Sequence, residues 1–128
     1  MTGSLEHTNL TVSDPLATAQ WLCKVFGWSI RWQGSAKGDG YSVHVGSADT
    51  YLALYCPPKA PAPFDGESSY ASVSGLNHIG ITVPDLDATE QQVIDAGFTP
   101  VNHADYEPGR RFYFRDADGI EFEVVSYN

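Results

Sequence analysis

The chain is poor in cysteine and in basic residues. Its 128 residues include 2 cysteines, and 7 Lys and Arg stand against 16 Asp and Glu, which gives a net charge of −9. Cys23 and Cys56 are too few for a disulfide framework and indicate free thiols in a reducing compartment. An acidic chain lacks the basic patch that binds nucleic acid or an anionic membrane surface, so we expect neither partner.

Long apolar runs are also missing. No stretch reaches the roughly 18 consecutive apolar residues of a membrane-spanning helix. The opening sequence MTGSLEHTNL has neither the basic nor the apolar region of a secretory signal. Together with the scarce cysteines, this predicts a cytoplasmic protein. A length of 128 residues with 42% hydrophobic content is typical of a single globular domain with a real core.

What the sequence does contain is an internal repeat. Residues 5–14 read LEHTNLTVSD and residues 76–85 read LNHIGITVPD, with 5 of the 10 positions identical. The identical positions include His7 and His78. Two strands with the same role would present two imidazoles in related places, which is a natural way for a duplicated fold to assemble a metal site.

The same order of elements follows each copy of the repeat. Asp14 with Pro15 predicts the start of a helix, and the spacing of Asp87 and Glu90 resembles a capping box for a second. Gly27 and Gly97 are placed to end these helices. Strands are then predicted at 29–33, 41–46 and 50–56, and at 99–103, 111–115 and 119–126. The pattern is β-α-β-β-β in residues 5–56 and again in 76–127, joined by a linker at 57–75.

Alternation of side chains along a strand assigns residues to faces. His7 and His78 each lie on the more polar face of their strand. In the last strand, Glu121 and Glu123 share one face. Carboxylates that point into a sheet concavity need solvent, a partner or a metal ion.

The two H-x-x-(L/I)-T-V-x-D strands and the closing segment FYFRDADGIEFEV resemble the vicinal oxygen chelate superfamily, also called the glyoxalase/bleomycin resistance/dioxygenase fold. The resemblance covers nearly the whole chain. It implies an α+β fold in which two β-α-β-β-β modules form a curved mixed sheet around a central cavity. It also implies a small-molecule ligand, and sites in this superfamily are often composed at a dimer interface, so a homodimer is expected.

Members that bind metal place ligands on the first and last strands of each module, and that pattern falls on His7, Leu54, His78 and Glu123. Glu123 has the family's spacing of four residues after Gly119. In the first half of the chain, Leu54 occupies the position that matches Glu123 when the turns SAD and DAD, at 47–49 and 116–118, are aligned. Leucine cannot coordinate a metal and would instead line the substrate cavity.

The missing fourth ligand weighs against glyoxalase I and methylmalonyl-CoA epimerase activity. The remaining set of two histidines and one carboxylate leaves positions open on a divalent ion, whether Fe, Mn, Ni, Zn or Mg. Such an ion would act as a Lewis acid on neighbouring oxygens of a substrate, in a dioxygenase, lyase or isomerase reaction. Extradiol dioxygenases resemble this arrangement further, because Tyr113 lies ten residues before Glu123, as their active-site tyrosine does. A fosfomycin-type function has less support, because no basic cluster suits a phosphonate.

Several of these residues also have plainer interpretations. Glu121 competes with Glu123 for the ligand position. Tyr113 and its counterpart His44 are either cavity residues or ordinary sheet residues. Arg110 and Arg111, beside Pro108-Gly109, either hold a substrate carboxylate or phosphate or flank a solvated hairpin turn.

Two other functional classes stay open. A metal-free binding protein of the bleomycin-resistance type would sequester an aromatic or cationic molecule, and the acidity of the chain would favour a cation. A module that serves only assembly is the third possibility.

Overall fold

The computed structural model of the chain describes residues 1–64, 68–106 and 108–128. The chain divides into two compact units, Met1–Ala62 and Pro63–Asn128, which we call module one and module two.

Module one is a four-stranded mixed sheet with one helix. Its elements are β1 (His7–Thr11), α1 (Pro15–Phe26), β2 (Ser29–Ser35), β3 (Tyr41–Gly46) and β4 (Tyr51–Cys56). The strand order is β1-β4-β3-β2. Strands β1 and β4 are parallel, whereas the other neighbours are antiparallel.

Module two repeats this architecture. Its elements are β5 (Ile79–Thr82), α2 (Leu86–Asp95), β6 (Val101–Tyr106), β7 (Gly109–Arg115) and β8 (Glu121–Ser126). The strand order β5-β8-β7-β6 and the single parallel pair, β5 with β8, match module one. The predicted α+β fold of two β-α-β-β-β modules is therefore confirmed, with each module forming its own four-stranded mixed sheet.

Equivalent aspartates begin the two helices. The side chain of Asp14 caps α1, and that of Asp85 caps α2, each accepting a hydrogen bond from the backbone N–H three residues later. The predicted cap at Asp87 is wrong, because Asp85 is the repeat equivalent of Asp14 and leaves Asp87 in the first turn. Gly27 and Gly97 adopt the positive φ angles, 69° and 95°, expected where a helix ends.

Each sheet buries one face and carries polar side chains on the other. Helix α1 packs against β3 and β4, and α2 packs against β8. The fully buried side chains include Leu22, Val43, Val45 and Leu54 in module one, and Val93, Phe112, Phe114, Phe122 and Val124 in module two. Alternation along the strands gives the opposite face of each sheet a separate set of residues, which includes His44, Tyr113 and Glu123.

The described residues between β4 and β5 form no helix or strand. Within the described ranges, no helix is both long and apolar enough to cross a bilayer. Cys23 and Cys56 are free thiols, as predicted.

Candidate functional site

A histidine and a carboxylate meet on the polar face of module two. His78 immediately precedes β5, and its Nε2 lies 3.2 Å from Oε1 of Glu123 on β8. Gly80 is the direct cross-strand neighbour of Glu123. The carboxylate of Glu123 lies beside Gly80, where a Cβ would be in ordinary contact with Oε1, at 3.8 Å.

The second oxygen of Glu123 is held by two residues of β7. Arg111 Nη1 donates to Oε2 at 2.9 Å, and the Tyr113 hydroxyl donates to the same oxygen at 3.1 Å. Tyr113 lies directly opposite Glu123 in the antiparallel ladder, and Arg111 lies two residues along the same face. The side chains of Arg111 and Glu123 are only 14% and 13% exposed, so this ion pair is shielded from solvent.

Burial and hydrogen bonding shift the pKa values of Tyr113 and Arg111, the two residues that bond Oε2 of Glu123. Desolvation raises the pKa of the Tyr113 phenol, and the hydrogen bond to Glu123 raises it further. The hydrogen bond to Glu123 also raises the pKa of Arg111 above its already high usual value. Tyr113 therefore stays a hydroxyl donor at neutral pH, and Arg111 stays a cation.

The nitrogen of His78 that faces away from Glu123 has its own partners. Nδ1 lies 2.6 Å from Oδ1 of Asn77 and 3.3 Å from the hydroxyl of Tyr70. A carbonyl oxygen can only accept, so Nδ1 carries a proton and Nε2 is the nitrogen directed at the carboxylate. The ring of Tyr113 meets the imidazole edge-on, with centroids 5.9 Å apart.

The two carboxylate oxygens of Glu121 have other partners, Tyr70 and Arg115. One of its oxygens accepts a hydrogen bond from the Tyr70 hydroxyl, and the other lies 3.5 Å from Arg115 Nη2. Its side chain is 11% exposed. The hydrogen bond to Glu121 is the main cause that raises the pKa of Tyr70 to about 12. The two carboxylates of β8, which strand parity alone does not distinguish, thus have different partners.

The adjacent arginines point to opposite sides of the sheet of module two. Arg111 shares a face with Tyr113, whereas Arg110 bonds Asp87 of α2 at 3.1 Å. Both lie near the start of β7. The predicted role of either arginine in substrate binding stays a prediction.

The equivalent face of module one is lined by aromatic rings. His7 stacks on Tyr51 with centroids 5.0 Å apart, Tyr51 stacks on His44 at 4.7 Å, and His44 packs against Trp32 at 5.0 Å. These four rings come from four adjacent strands and form a continuous row. The guanidinium of Arg31 lies 4.5 Å from the centre of the Tyr51 ring. His44 and Tyr113 occupy matching positions, as predicted from the sequence.

The register corrects one predicted correspondence. Glu123 lies opposite Gly80, and the equivalent pair in module one is Asn9 with Ala53, not with Leu54. The sequence alignment through the turns was wrong by one residue, because four residues join β3 to β4 whereas five join β7 to β8. Leu54 is completely buried on the opposite face, paired with Leu10. Alanine, like leucine, offers no metal ligand.

His78 and Glu123 bring together two atoms of the kinds that bind metal ions, both in module two. Among the described residues, no group of three or more His, Cys, Asp or Glu side chains is arranged to hold a metal ion. His78 and Glu123 fit two positions of such a site by their donor chemistry and by the convergence of Nε2 and Oε1. His7 lies on β1 of module one, where Nδ1 is 2.9 Å from Glu6. Its predicted ligand role stays a prediction.

The sequence profile of the Glyoxalase/Bleomycin resistance protein/Dioxygenase superfamily matches residues 4–124. The chain belongs to this superfamily. The match covers both modules, and the likeness expected from the repeated histidine strands is confirmed. No curated protein sequence matches the chain.

Solved structures with the superfamily fold share little sequence with this chain. A glyoxylase/bleomycin resistance protein/dioxygenase domain from Frankia sp. EAN1pec is 22% identical with a TM-score of 0.78, over 98% of this chain and 92% of that one. The trypanothione-dependent glyoxalase I of Leishmania major is 16% identical with a TM-score of 0.77, over 98% and 88%. The fosfomycin resistance protein FosX of Mesorhizobium loti is 20% identical with a TM-score of 0.68, over 98% and 92%. At these identities the likeness concerns the fold alone.

Three residues around the histidine–carboxylate pair were not predicted from the sequence. Arg115 had a usable signal, because it alternates with Arg111 and Tyr113 along β7 and faces Glu121 in the ladder. Asn77 and Tyr70 had none. Both lie outside the helices and strands, where no periodicity assigns a side chain to a face.

Proposed function

We propose that this protein is a small metal-dependent, enzyme-like member of its superfamily, with His78 Nε2 and Glu123 Oε1 as two ligands of a divalent ion that binds a small oxygenated molecule. The single observation that carries the proposal is the approach of these two atoms to 3.2 Å. Imidazole nitrogen and carboxylate oxygen are suitable donors for Mn, Fe, Ni or Zn.

The hydrogen bonds around His78 explain why this approach points to a cation. Because Nδ1 donates to Asn77, Nε2 is the imidazole nitrogen that faces the carboxylate. Positive charge between Nε2 and Oε1, carried by a proton or by a metal ion, favours so close an approach. A hydrogen bond from the other ring nitrogen is the usual way in which proteins orient a histidine that binds a metal ion.

The partners of Glu123 support the same assignment. Arg111 and Tyr113 both hold Oε2, which fixes the plane of the carboxylate and leaves Oε1 directed toward His78. A ligating carboxylate that is itself hydrogen-bonded is typical of metal centres. When bound, the ion would supply Lewis-acid polarisation of a substrate oxygen. Tyr113, kept protonated by burial, would donate a hydrogen bond beside it.

Calorimetric titration of the metal-free protein with Zn²⁺ and with Mn²⁺ tests this proposal. We expect one site per chain, and we expect His78→Ala and Glu123→Gln each to weaken binding by more than about 10-fold, since loss of an outer-shell partner alone costs that much. His7→Ala tests the sequence prediction of a third ligand, for which a comparable loss is required.

A matched control lies in the same module. His103 Nε2 pairs with Glu90 at 2.9 Å, which makes a second, exposed histidine–carboxylate contact. His103→Ala should leave the affinity unchanged. Equal losses in the His103→Ala and His78→Ala variants, or no binding by the wild-type protein, would contradict the proposal.

A second candidate function is metal-independent binding of a planar cationic molecule, as in bleomycin-resistance-type sequestration. The observation that favours it is the ring row of Trp32, His44, Tyr51 and His7 in a chain of net charge −9. Titration with ethidium in the presence of EDTA tests it. Binding that survives EDTA and the His78→Ala change but is lost in Trp32→Leu would favour sequestration over the metal site.

A further inference from the structure

We propose that Tyr70 is a positioning residue, which fixes the ring of His78 so that Nε2 faces Glu123. By bonding Glu121, Tyr70 also keeps that second carboxylate from pairing with His78. The proposal deepens the proposed metal site and rests on it for its functional meaning. The geometric claim about the imidazole stands on the hydrogen bonds of module two alone.

Tyr70 joins three separate parts of module two. It lies in the segment between β4 and β5, and its hydroxyl donates a hydrogen bond to Glu121 of β8. The same hydroxyl lies 3.3 Å from Nδ1 of His78, and the two rings are nearly parallel, with an interplanar angle of 20°. Because the Tyr70 hydroxyl donates its hydrogen bond to Glu121, the phenol oxygen acts as an acceptor for the Nδ1–H of His78.

His78 needs such an external contact because the sheet does not hold it. The paired register of β5 with β8 begins at Ile79, one residue later. Asn77 also accepts from Nδ1, but as the preceding residue it moves with His78. Tyr70 is bonded through Glu121 to β8, the strand that carries Glu123. The tyrosine therefore ties the imidazole to the same strand as its carboxylate partner.

Tyr70 also separates the roles of the two acids on β8. Glu121 and Glu123 lie two residues apart on the same face, and either would attract the imidazole. The hydroxyl of Tyr70 and the guanidinium of Arg115 occupy the two oxygens of Glu121. Glu123 remains the carboxylate with an oxygen directed at Nε2.

The test compares Tyr70→Phe with Tyr55→Phe, each of which removes one hydroxyl hydrogen bond. Tyr55 donates to the Lys37 carbonyl in module one, at 2.6 Å, so it controls for a general loss of stability. We expect Tyr70→Phe to weaken Zn²⁺ binding about 10-fold, as loss of an outer-shell partner does, and Tyr55→Phe to leave it within about two-fold.

A readout that does not depend on metal is the order of the His78 ring in metal-free protein, measured by ¹³C relaxation and by the ¹H–¹⁵N correlation pattern of the imidazole. In the wild type we expect one ordered ring with the proton on Nδ1. In Tyr70→Phe we expect greater ring motion, and Glu121→Leu should produce the same change by removing the partner of the hydroxyl. The double variant should be no more mobile than either single one, because both changes break one chain of bonds.

The outcomes separate the two proposals. If the wild-type protein binds no metal but the ring is released in Tyr70→Phe, the metal site is wrong and the positioning role stands. If the ring of His78 is equally ordered in wild type, Tyr70→Phe and Glu121→Leu, the positioning role is wrong whatever the metal affinity. A ring released to the same extent by Tyr55→Phe also overturns it.

Discussion

The two modules share one backbone plan and differ in the chemistry of the face that each presents. In module one, Tyr51 lies across from His7, and Ala53 follows it on the same face. In module two the equivalent positions of β8 hold Glu121 and Glu123. Duplication has therefore preserved the sheet while the side chains diverged into a ring row in one copy and a charged network in the other.

The difference shows what a buried carboxylate requires. Glu123 is tolerated at 13% exposure because Arg111 and Tyr113 bond one oxygen and His78 faces the other. Ser42 of module one matches Arg111, because Ser42 lies two residues before His44 and Arg111 lies two residues before Tyr113. Without that arginine, a small apolar residue is the stable choice at position 53.

The largest effect is expected from Ala53→Glu, which copies the acid of module two into module one. Ala53 is 2% exposed, and Ser42 stands where module two has Arg111, so the new carboxylate would be buried without an arginine partner. We expect the melting temperature to fall by about 15 °C, measured by thermal unfolding. Ala53→Ser is the control and should lower the melting temperature by about a quarter of that amount. If Ala53→Glu lowers the melting temperature no more than Ala53→Ser does, the face of module one tolerates a buried carboxylate as well as that of module two.

Removing the acid from module two should cost somewhat less. Glu123→Ala leaves the shielded guanidinium of Arg111 without its partner, and we expect a fall of about 10 °C in melting temperature. Glu121→Ala is the matched comparison. Its partners Arg115 and Tyr70 are 59% and 57% exposed and can return to water, so the fall should be less than half as large. Equal losses would show that shielding does not distinguish the two acids.

A smaller effect is expected in the ring row of module one. Tyr51→Leu removes two ring stacks and the contact with Arg31, and should lower the melting temperature by about 5 °C. Tyr51→Phe keeps the ring and loses only the hydroxyl bond to Glu6, so its melting temperature should fall by about 1 °C. If phenylalanine is as damaging as leucine, the hydroxyl and not the stacking holds the row.

The smallest effect concerns the pH dependence of one matched pair of positions. Burial lowers the pKa of His44 below its ordinary 6.5, and burial raises the pKa of Tyr113 above its ordinary 10.0. Each neutral form is favoured in the folded state. The stabilising contribution of His44 is therefore lost as pH falls below 6.5, because the unfolded chain takes up the proton first.

The contribution of Tyr113 is lost as pH rises above 10.0, because the unfolded chain releases its proton first. NMR titration of His44 and ultraviolet titration of Tyr113 against a Tyr113→Phe variant measure the two shifts. Movement of either pKa in the opposite direction would contradict the burial of that position.

Much of the fold was predictable from local signals. The repeated histidine strands, the helix caps at Asp14 and Gly27 and the alternation along the strands each act within a few residues, so they appear in the sequence itself. The same alternation placed Glu121 and Glu123 on one face of the last strand. The misplaced cap at Asp87 arose because a capping-box spacing two residues later competed with the true cap at Asp85.

By itself, the sequence determined that this protein consists of two β-α-β-β-β modules with a histidine at the start of each, because periodicity and capping are properties of neighbouring residues. Only the tertiary structure decided that Ala53 rather than Leu54 matches Glu123, that Glu123 rather than Glu121 faces His78, and that Tyr70 contacts both His78 and Glu121. The match of Ala53 depends on strand register, because a turn that is one residue longer moves every later residue of the strand to the opposite face of the sheet. The contacts of His78 with Glu123 and of Tyr70 with Glu121 join residues that are far apart along the chain, so no local pattern in the sequence indicates them.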